Sequence, residues 1–242
     1  MSKVFIGVGH GGNDPGAMGN GLKEKDLNLS IALSCRDALA SSGVTVEISR
    51  EADITSSLEE RIQQCNRFAP DLALDIHNNA GGGDGAEVYH HYAGGTGKTL
   101  AENILSEITA IGQNSRGTKI KLNSAGRDYF GFIRQTSAPA VIVECAFVDN
   151  AEDIQMVNTA DKQKRMGQAI ARGVLKTLGI PYLGDLNGDG KVDATDALLA
   201  LQDSVKLTQL SDEQRAKADL NGDGKVDATD ALEMLQKSVG VK

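Results

Sequence analysis

The chain has 242 residues, of which 40% are hydrophobic, and a formal net charge of −8. This length suffices for one buried core of about 150 to 180 residues and a smaller second module. Because binding of phosphate requires a concentrated basic surface, the acidic balance argues against nucleic acid as a partner.

Cysteine usage and apolar runs bear on the compartment. The three cysteines, Cys35, Cys65 and Cys145, have no CxxC spacing, which argues against a disulfide framework and against cysteine-ligated zinc. No apolar run approaches roughly 18 residues, so we expect no membrane insertion. The start MSKVFIGVGHGG lacks the layout of a secretory signal, and we therefore expect synthesis in the cytoplasm without a signal peptide.

Short β-branched runs alternate with helical apolar periods along the first 178 residues. Runs typical of strands are KVFIGVGH at 3–10, VTVEIS at 44–49, DLALDIH at 71–77, AEVYHHY at 86–92 and PAVIVECAF at 139–147. Apolar residues recur at helical spacing within 27–39, 58–65, 100–111 and 166–178. This alternation predicts an α/β fold with a mostly parallel sheet flanked by helices.

Three residues with metal-binding side chains lie near predicted strand ends. His10 ends the first strand, Glu24 precedes the first helix and His77 ends DLALDIH, so all three can reach one edge of the sheet. Two histidines and one carboxylate recur as ligands of catalytic zinc. A histidine beside glycines is more often structural, however, and no HExxH spacing is present, so spacing alone leaves both interpretations open.

Six ordered blocks between residues 3 and 178 carry a family resemblance. They are GHGGNDPGA, LKEKDLNLSIA, SREADITSSLEERIQQCN, DIHNNA, GAEVY and APAVIVECAFVDN. In this order they resemble the zinc-dependent N-acetylmuramoyl-L-alanine amidases. The resemblance implies that His10, Glu24 and His77 bind one catalytic Zn²⁺, and that Glu144 is the catalytic carboxylate. Zinc acidifies water and a nearby carboxylate can take its proton, so no serine or cysteine nucleophile is required.

Some residues near the implied site have open interpretations. The family usually has a small hydroxyl residue where this chain has Asp75, which lies on the same strand face as His77. We interpret Asp75 either as a hydrogen-bond acceptor behind the metal site or as an ordinary ion-pair partner. Arg116 and Arg134 are candidates to contact an anionic group of the substrate, or are simply solvated or ion-paired.

The first domain is predicted to span 1–180, because GIPYLGD places a glycine and a proline after the last helical period. The second domain, 185–242, contains the stretch DLNGDGKVDATDAL twice, with a period of 34 residues, and is expected to be a small all-α module. Oxygen-bearing residues occupy loop positions 1, 3, 5, 9 and 12, with glycine at position 6, which is the spacing of a twelve-residue calcium loop. The predicted ligands of two structural Ca²⁺ ions are Asp185, Asn187, Asp189, Asp193 and Asp196 with the Lys191 carbonyl, and Asp219, Asn221, Asp223, Asp227 and Asp230 with the Lys225 carbonyl.

Both loops have aspartate at position 12, where the usual calcium site has glutamate. With the duplicated loop-helix units, this resembles a type I dockerin over residues 185–242. The resemblance implies a calcium-dependent surface that docks onto a cohesin domain. We keep self-association with a second copy of the chain as an alternative. Loop positions 10 and 11 are the residues implied in recognition: Ala194, Thr195, Ala228 and Thr229.

We therefore expect an amidase that cuts the lactyl–L-alanine bond of bacterial peptidoglycan, of the phage-endolysin or autolysin type. A zinc peptidase acting elsewhere in the stem peptide is an alternative, as is a cell-wall binding or assembly component without catalysis. The substrate lies outside the cytoplasmic membrane, so we expect the enzyme to reach it after release through holin-type holes. Secretion behind a leader that has been removed is the alternative.

Overall fold

The chain is described by a computed structural model over residues 1–189 and 191–239. It forms two compact units, Met1–Gly179 and Ile180–Lys242. The first unit is α/β, and the described regular elements of the second are all helices. None of the helices in these ranges has the length and apolarity that crossing a membrane requires.

A six-stranded sheet forms the centre of the first unit. Its strands are β1 Lys3–Val8, β4 Thr45–Ile48, β5 Leu72–Asn79, β6 Ala86–His90, β7 Ser115–Lys119 and β8 Ala140–Phe147. Two short strands, β2 Met18–Gly19 and β3 Leu22–Lys23, form a separate antiparallel hairpin. The order across the sheet is β4-β1-β5-β8-β6-β7, and every neighbouring pair is parallel except β6 and β8. The predicted mostly parallel sheet is confirmed, while β7 is a strand that the sequence pattern did not indicate.

Helices cover both faces of this sheet. Within residues 1–179 they are α1 Glu24–Ser41, α2 Leu58–Phe68, α3 Thr96–Ala110, α4 Gly131–Gln135 and α5 Ala160–Leu178. On one face, α1 and α3 both pack against α5. On the other face, Ile62 of α2 and Phe132 of α4 join Phe5 and Ile142 in an apolar cluster. Helix α5, the last of the first unit, ends at Leu178 because Gly179 has a left-handed φ of 69°, which glycine adopts without strain.

The face beneath α2 and α4 changes from apolar to polar along the strands. Because side chains alternate across a strand, Ala73, Asp75 and His77 of β5 all lie on this face. Across the ladder, His77 is opposite Glu144 of β8, and Glu144 is opposite Glu87 of β6. A polar row therefore crosses the sheet at the carboxyl ends of β5 and β8, where ligands of open α/β sheets usually bind.

The second unit has three helices in its described part: α6 Ala194–Ser204, α7 Asp212–Ala218 and α8 Ala228–Ser238. The two repeat helices, α6 and α8, pack together around Ala197, Ala200, Ala231 and Met234. Each begins with a capping box between an N-cap aspartate and the aspartate three residues later. The predicted small helical module is therefore confirmed.

Candidate metal centre

His10, Glu24 and His77 come together, with one ligand atom from each within 4.8 Å of the others. The Glu24 carboxylate lies between the two imidazoles: its Oε2 is 3.2 Å from His10 Nε2 and its Oε1 is 2.9 Å from His77 Nδ1. Glu24 is buried, and backbone amides of Ala17 and Asn78 donate to its two oxygens. In residues 1–189 and 191–239, no other group of three His, Cys, Asp or Glu side chains gathers in this way.

Each imidazole has a second carboxylate behind it. His10 Nδ1 lies 2.7 Å from Asp14 Oδ2, and His77 Nε2 lies 3.4 Å from Asp75 Oδ2. A carboxylate at the outer nitrogen favours the tautomer that carries its hydrogen there, which leaves the inner nitrogen free to bind a metal. This arrangement directs Nε2 of His10 and Nδ1 of His77 toward the same point as Glu24.

The loop after β1 holds His10 in an unusual backbone conformation. His10 has φ 63°, a left-handed value that is uncommon for a residue with a side chain. The preceding carbonyl of Gly9 accepts hydrogen bonds from Asn28 Nδ2 at 3.1 Å and from Arg50 Nη2 at 3.2 Å. A Cβ atom at Gly9 would lie 2.2 Å from His77 Cε1, so the close approach of this imidazole requires glycine.

A buried lysine fixes the next turn of the same loop. Lys25 Nζ donates to the carbonyl of Gly12 at 2.9 Å and pairs with Asp53 Oδ2 at 2.6 Å. The amide of Gly12 donates to the other oxygen of Asp53 at 2.8 Å. These contacts outside the metal-ligand set offset the strain at His10.

The charges of the group fit a bound cation. Burial opposes ionisation of Glu24, but the hydrogen bonds from His10 and His77 outweigh it and hold the pKa of Glu24 well below its usual range. The hydrogen bond to Glu24 raises the pKa of His10, and Asp75 raises that of His77 against the opposing effect of burial. Three carboxylates, those of Asp14, Glu24 and Asp75, thus surround the two imidazoles. Their negative charge favours protonated imidazoles, and a bound dication can take the place of those protons. Two nitrogen ligands and one oxygen ligand form a set that suits zinc, which commonly takes water as its fourth ligand.

Asp75 lies directly beneath His77 and is almost fully buried. Its Oδ2 is 3.4 Å from Arg61 Nη2 as well as 3.4 Å from His77 Nε2. The carboxylate fits because Gly7 opposite has no side chain: a Cβ there would lie 2.4 Å from Asp75 Oδ1. Asp75 therefore lies within ion-pair distance of both Arg61 and His77, while neither of its buried oxygens has a hydrogen-bond partner in the described part of the chain.

Glu144 is placed beside this group by the pairing of β5 with β8, in which it is opposite His77. Its Oε2 is buried without a hydrogen-bond partner in the described part of the chain. Burial raises the pKa of Glu144 to about 7, an effect that His77 opposes and that Glu24 and Glu87 reinforce. A carboxyl with such a pKa can both accept and donate a proton near neutral pH.

Three charged residues of this site were not identified from the sequence. One is Asp14, which lies behind His10. Arg61 of α2 pairs with Asp75, and Glu87 of β6 is buried next to Glu144. For Glu87 a signal existed, because a charged residue between Ala86 and Val88 interrupts an otherwise apolar strand. For Arg61 the helical pattern of α2 gave no signal.

The last aspartate of each repeat loop in the second unit is buried away from the described cationic side chains. Asp196 and Asp230, both at loop position 12, are fully buried, and no described Lys or Arg pairs with either. The two oxygens of Asp196 accept hydrogen bonds from the amides of Leu186, Asn187 and Asp193. An uncompensated buried carboxylate is costly, so these loops fit a bound dication.

The other predicted calcium ligands lie around these two aspartates. Side-chain oxygens that accept a backbone amide of their own loop belong to Asp185, Asn187, Asp189, Asp193, Asp219, Asn221, Asp223 and Asp227. Lys191 and Lys225, predicted to contribute carbonyls, are exposed. Gly190, at position 6 of the first loop, lies outside the described residues. The predicted recognition residues Ala194, Thr195, Ala228 and Thr229 are all exposed.

Comparison with known proteins gives two family matches. Residues 4–176 match the N-acetylmuramoyl-L-alanine amidase family, and residues 183–237 match the dockerin type I domain. N-acetylmuramoyl-L-alanine amidase CwlM of Bacillus licheniformis is 38% identical over 72% of this chain and 66% of its own length. The endolysin of Bacillus phage SPP1 is 33% identical over 74% of this chain and 68% of its own. The solved structure of N-acetylmuramoyl-L-alanine amidase AmiC2 of Nostoc punctiforme has a TM-score of 0.67 and 32% identity, covering 74% of this chain and 97% of that one.

Proposed function

Because the chain belongs to the N-acetylmuramoyl-L-alanine amidase family, we propose that its first unit hydrolyses the amide bond between the lactyl group of N-acetylmuramic acid and L-alanine in peptidoglycan. The observation that best supports this activity is the position of Glu144, one strand away from His77 in the His10–Glu24–His77 group. Amide hydrolysis needs a proton acceptor beside an electrophilic site, and this arrangement supplies both.

Zinc is the metal that this group suits, with His10, Glu24 and His77 as its ligands. A zinc ion held there would supply Lewis acidity toward the scissile carbonyl and toward water. The chain's own contribution is to fix the two imidazoles, through Asp14 and Asp75, and to keep Glu24 ionised between them.

Glu144 moves the proton in the proposed reaction. Its carboxylate accepts a proton from the attacking water as the water oxygen bonds to the carbonyl carbon. The same carboxyl then donates that proton to the alanine nitrogen as the carbon–nitrogen bond breaks. Burial of Glu144 favours this second step, because it stabilises the neutral acid.

The pH dependence of kcat/KM is expected to follow Glu144. The carboxyl must be ionised to accept a proton, so activity should fall as the pH decreases through its pKa, which burial raises to about 7. A bound cation stabilises the carboxylate, so the acidic limb is expected at or below that value. A pH–rate profile on a soluble muramoyl peptide checks this, and constant activity from neutral pH down to about pH 4, near the unperturbed value for glutamate, would contradict it.

Metal dependence and product identity test the function itself. The chain stripped with a chelator should not cleave N-acetylmuramoyl-L-alanyl peptides, and added zinc should restore release of the lactyl acid and of peptides with amino-terminal alanine. Cleavage between later residues of the stem would instead establish a zinc peptidase. A zinc-loaded chain that binds but cleaves nothing would establish a cell-wall binding or assembly component.

Replacement of Asp75 by asparagine is expected to weaken zinc binding by about 10- to 100-fold, the usual effect of removing a carboxylate behind a histidine ligand. Asparagine keeps the shape but removes the charge that faces His77 Nε2 and Arg61. Competition with a chromophoric zinc chelator measures the affinity, with the exposed Asp161→Asn as the matched control. Equal zinc affinity in Asp75→Asn and wild type would refute the role.

For the second unit we propose two structural calcium ions and docking onto a cohesin domain. The match to the dockerin type I domain and the buried Asp196 and Asp230 support this. Exposed apolar side chains also repeat with the 34-residue period beside the exposed loop positions 10 and 11. They are Leu198, Leu201 and Val205 on and just after α6, and Leu232, Leu235 and Val239 on and just after α8.

Docking onto cohesin and pairing with a second copy can be separated directly. With calcium, a cohesin domain should bind by calorimetry, and Leu198→Asp with Leu232→Asp should abolish binding. The control is Leu122→Asp, because Leu122 is also an exposed leucine but belongs to the first unit. Absence of cohesin binding together with a calcium-dependent dimer in light scattering would establish self-association instead.

We also propose that the enzyme acts outside the cytoplasmic membrane after release through holin-type holes. The similarity to the endolysin of Bacillus phage SPP1 supports this context. Expression in a bacterial host should cause lysis only when a holin is co-expressed, and lysis without holin would contradict the proposal.

A further inference from the structure

Strand β7 contains a bulge next to the candidate active site. Along the parallel pairing of β6 with β7, Ala86 is opposite Ser115, but Val88 is opposite Thr118. Two residues of β7, Arg116 and Gly117, therefore face the single residue Glu87. Gly117 has a left-handed φ of 85°, which accommodates the extra residue.

The bulge changes which side chains share a face. In a regular strand Arg116 and Lys119 would lie on opposite faces, because they are three residues apart and side chains alternate. The extra residue places both on the face of Glu87. Arg116 Nε donates to Glu87 Oε2 at 2.8 Å, and Lys119 Nζ donates to the same oxygen.

Four side chains donate hydrogen bonds to the Glu87 carboxylate and hold it in place. It is buried, and its other oxygen accepts hydrogen bonds from Asn79 Nδ2 at 3.0 Å and Tyr89 Oη at 2.7 Å. Burial opposes ionisation, but Lys119 and Arg116 outweigh it and lower the pKa of Glu87. One carboxylate thus holds two cations, so the trio has a net charge of +1.

Part of the Arg116 guanidinium remains accessible to a ligand. Its side chain is 36% exposed, and its Cζ lies 5.0 Å from the centre of the Phe147 ring. In residues 1–189 and 191–239, no side chain other than Glu87 accepts a hydrogen bond from it. Arg134, the other arginine considered as an anion ligand, instead donates to the carbonyls of Asp128 and Tyr129. Of the two arginines, Arg116 is the one whose ion pair places it in the polar row of Glu87 and Glu144.

The position of this cation pair follows from the sheet. β7 lies two strands from β8, so Arg116 is about 10 Å from the strand that carries Glu144. An extended peptide spans about 3.3 to 3.6 Å per residue. A carboxylate that reaches Arg116 would therefore lie one to three residues from the bond being cut at Glu144.

We propose that Arg116 and Lys119, held by Glu87, form an anion subsite that binds a carboxylate of the stem peptide on the alanine side of the scissile amide. The inference rests on the proposed amidase function. The glycan carries no charge on its N-acetylhexosamines, so the anionic groups of an uncut muropeptide belong to its peptide. A net charge of +1 matches one carboxylate, and the fork of Arg116 can bind it through two nitrogens.

The test compares two muramoyl dipeptides that differ only in whether the second residue carries a free α-carboxylate or a carboxamide. The wild type is expected to favour the carboxylate in kcat/KM by about 10- to 100-fold, as for a charge-assisted hydrogen bond. Arg116→Gln should bring this ratio close to 1, and Arg116→Lys should retain part of it. Lys121→Gln is the control, because Lys121 is an exposed cation stacked on Tyr129 beyond the end of β7. An equal loss on both substrates in Arg116→Gln would show a merely structural role and overturn the subsite.

Binding measured without turnover separates this inference from the proposed function. Calorimetry compares both dipeptides on Glu144→Gln and on the double variant Glu144→Gln with Arg116→Gln. A preference for carboxylate that disappears in the double variant supports the subsite, even if the wild type cleaves neither dipeptide and the amidase proposal fails. Cleavage by the wild type without any preference, in rate or in binding, would overturn the subsite and leave the amidase function standing.

Discussion

Substitution of Glu144 by glutamine is expected to lower kcat on peptidoglycan by about 10²- to 10⁴-fold, the usual contribution of a general acid–base residue. Glutamine keeps the size of the side chain but cannot accept the proton of the attacking water. Glu144 lies opposite His77 without belonging to the His10–Glu24–His77 group, so zinc content should stay unchanged. Turbidity clearing of purified cell walls and metal analysis by mass spectrometry measure the two quantities.

The matched control is Glu102→Gln, which removes an exposed glutamate of α3 that pairs with the exposed Lys98. Its activity should equal that of the wild type. A Glu144→Gln variant that retains more than a tenth of wild-type activity with zinc bound would show that another group moves the proton.

Removal of calcium is expected to unfold the second unit while the first stays folded. Without the cation, Asp196 and Asp230 leave two buried charges uncompensated in a small core. Calcium at a thousand times its dissociation constant would stabilise the folded unit by about 4 kcal/mol per site. Calorimetry of the full chain should show two thermal transitions, of which only one shifts when calcium is added to calcium-free protein.

A single substitution tests whether the calcium-sensitive transition belongs to the second unit. Asp230→Asn should lower its midpoint even at high calcium, whereas Asp212→Asn, an exposed aspartate of α7, should have little effect. Identical transitions with and without calcium would contradict a structural role for the ions.

The sequence pattern predicted the long elements well and missed the irregular ones. Apolar periodicity indicated α1, α3 and α5, because each buries one continuous apolar stripe. Strand β7, SRGTK, has no alternating apolar face and contains a glycine bulge, so no local pattern could indicate it. Helix α4 is only five residues long, too short for a helical period.

The metal centre depends on long-range pairing that spacing alone does not encode. His10, Glu24 and His77 come from three separate elements. Their places at predicted strand ends put them near one sheet edge, but only the family resemblance indicated that they bind one metal. The same limit applies to Glu87, whose importance arises from its register with Glu144 and from the bulge in β7. Asp75 was identified by its strand face, but its ion pair with Arg61 required the packing of α2 on the sheet.

Mass spectrometry of intact peptidoglycan digested by the zinc-loaded wild type and by Glu144→Gln tests the central claim most directly. The account predicts glycan strands that end in free lactyl carboxylates and stem peptides that begin with an alanine amino group, from the wild type only. Peptides cut elsewhere in the stem, or lactyl–alanine cleavage by both proteins at similar rates, would contradict it.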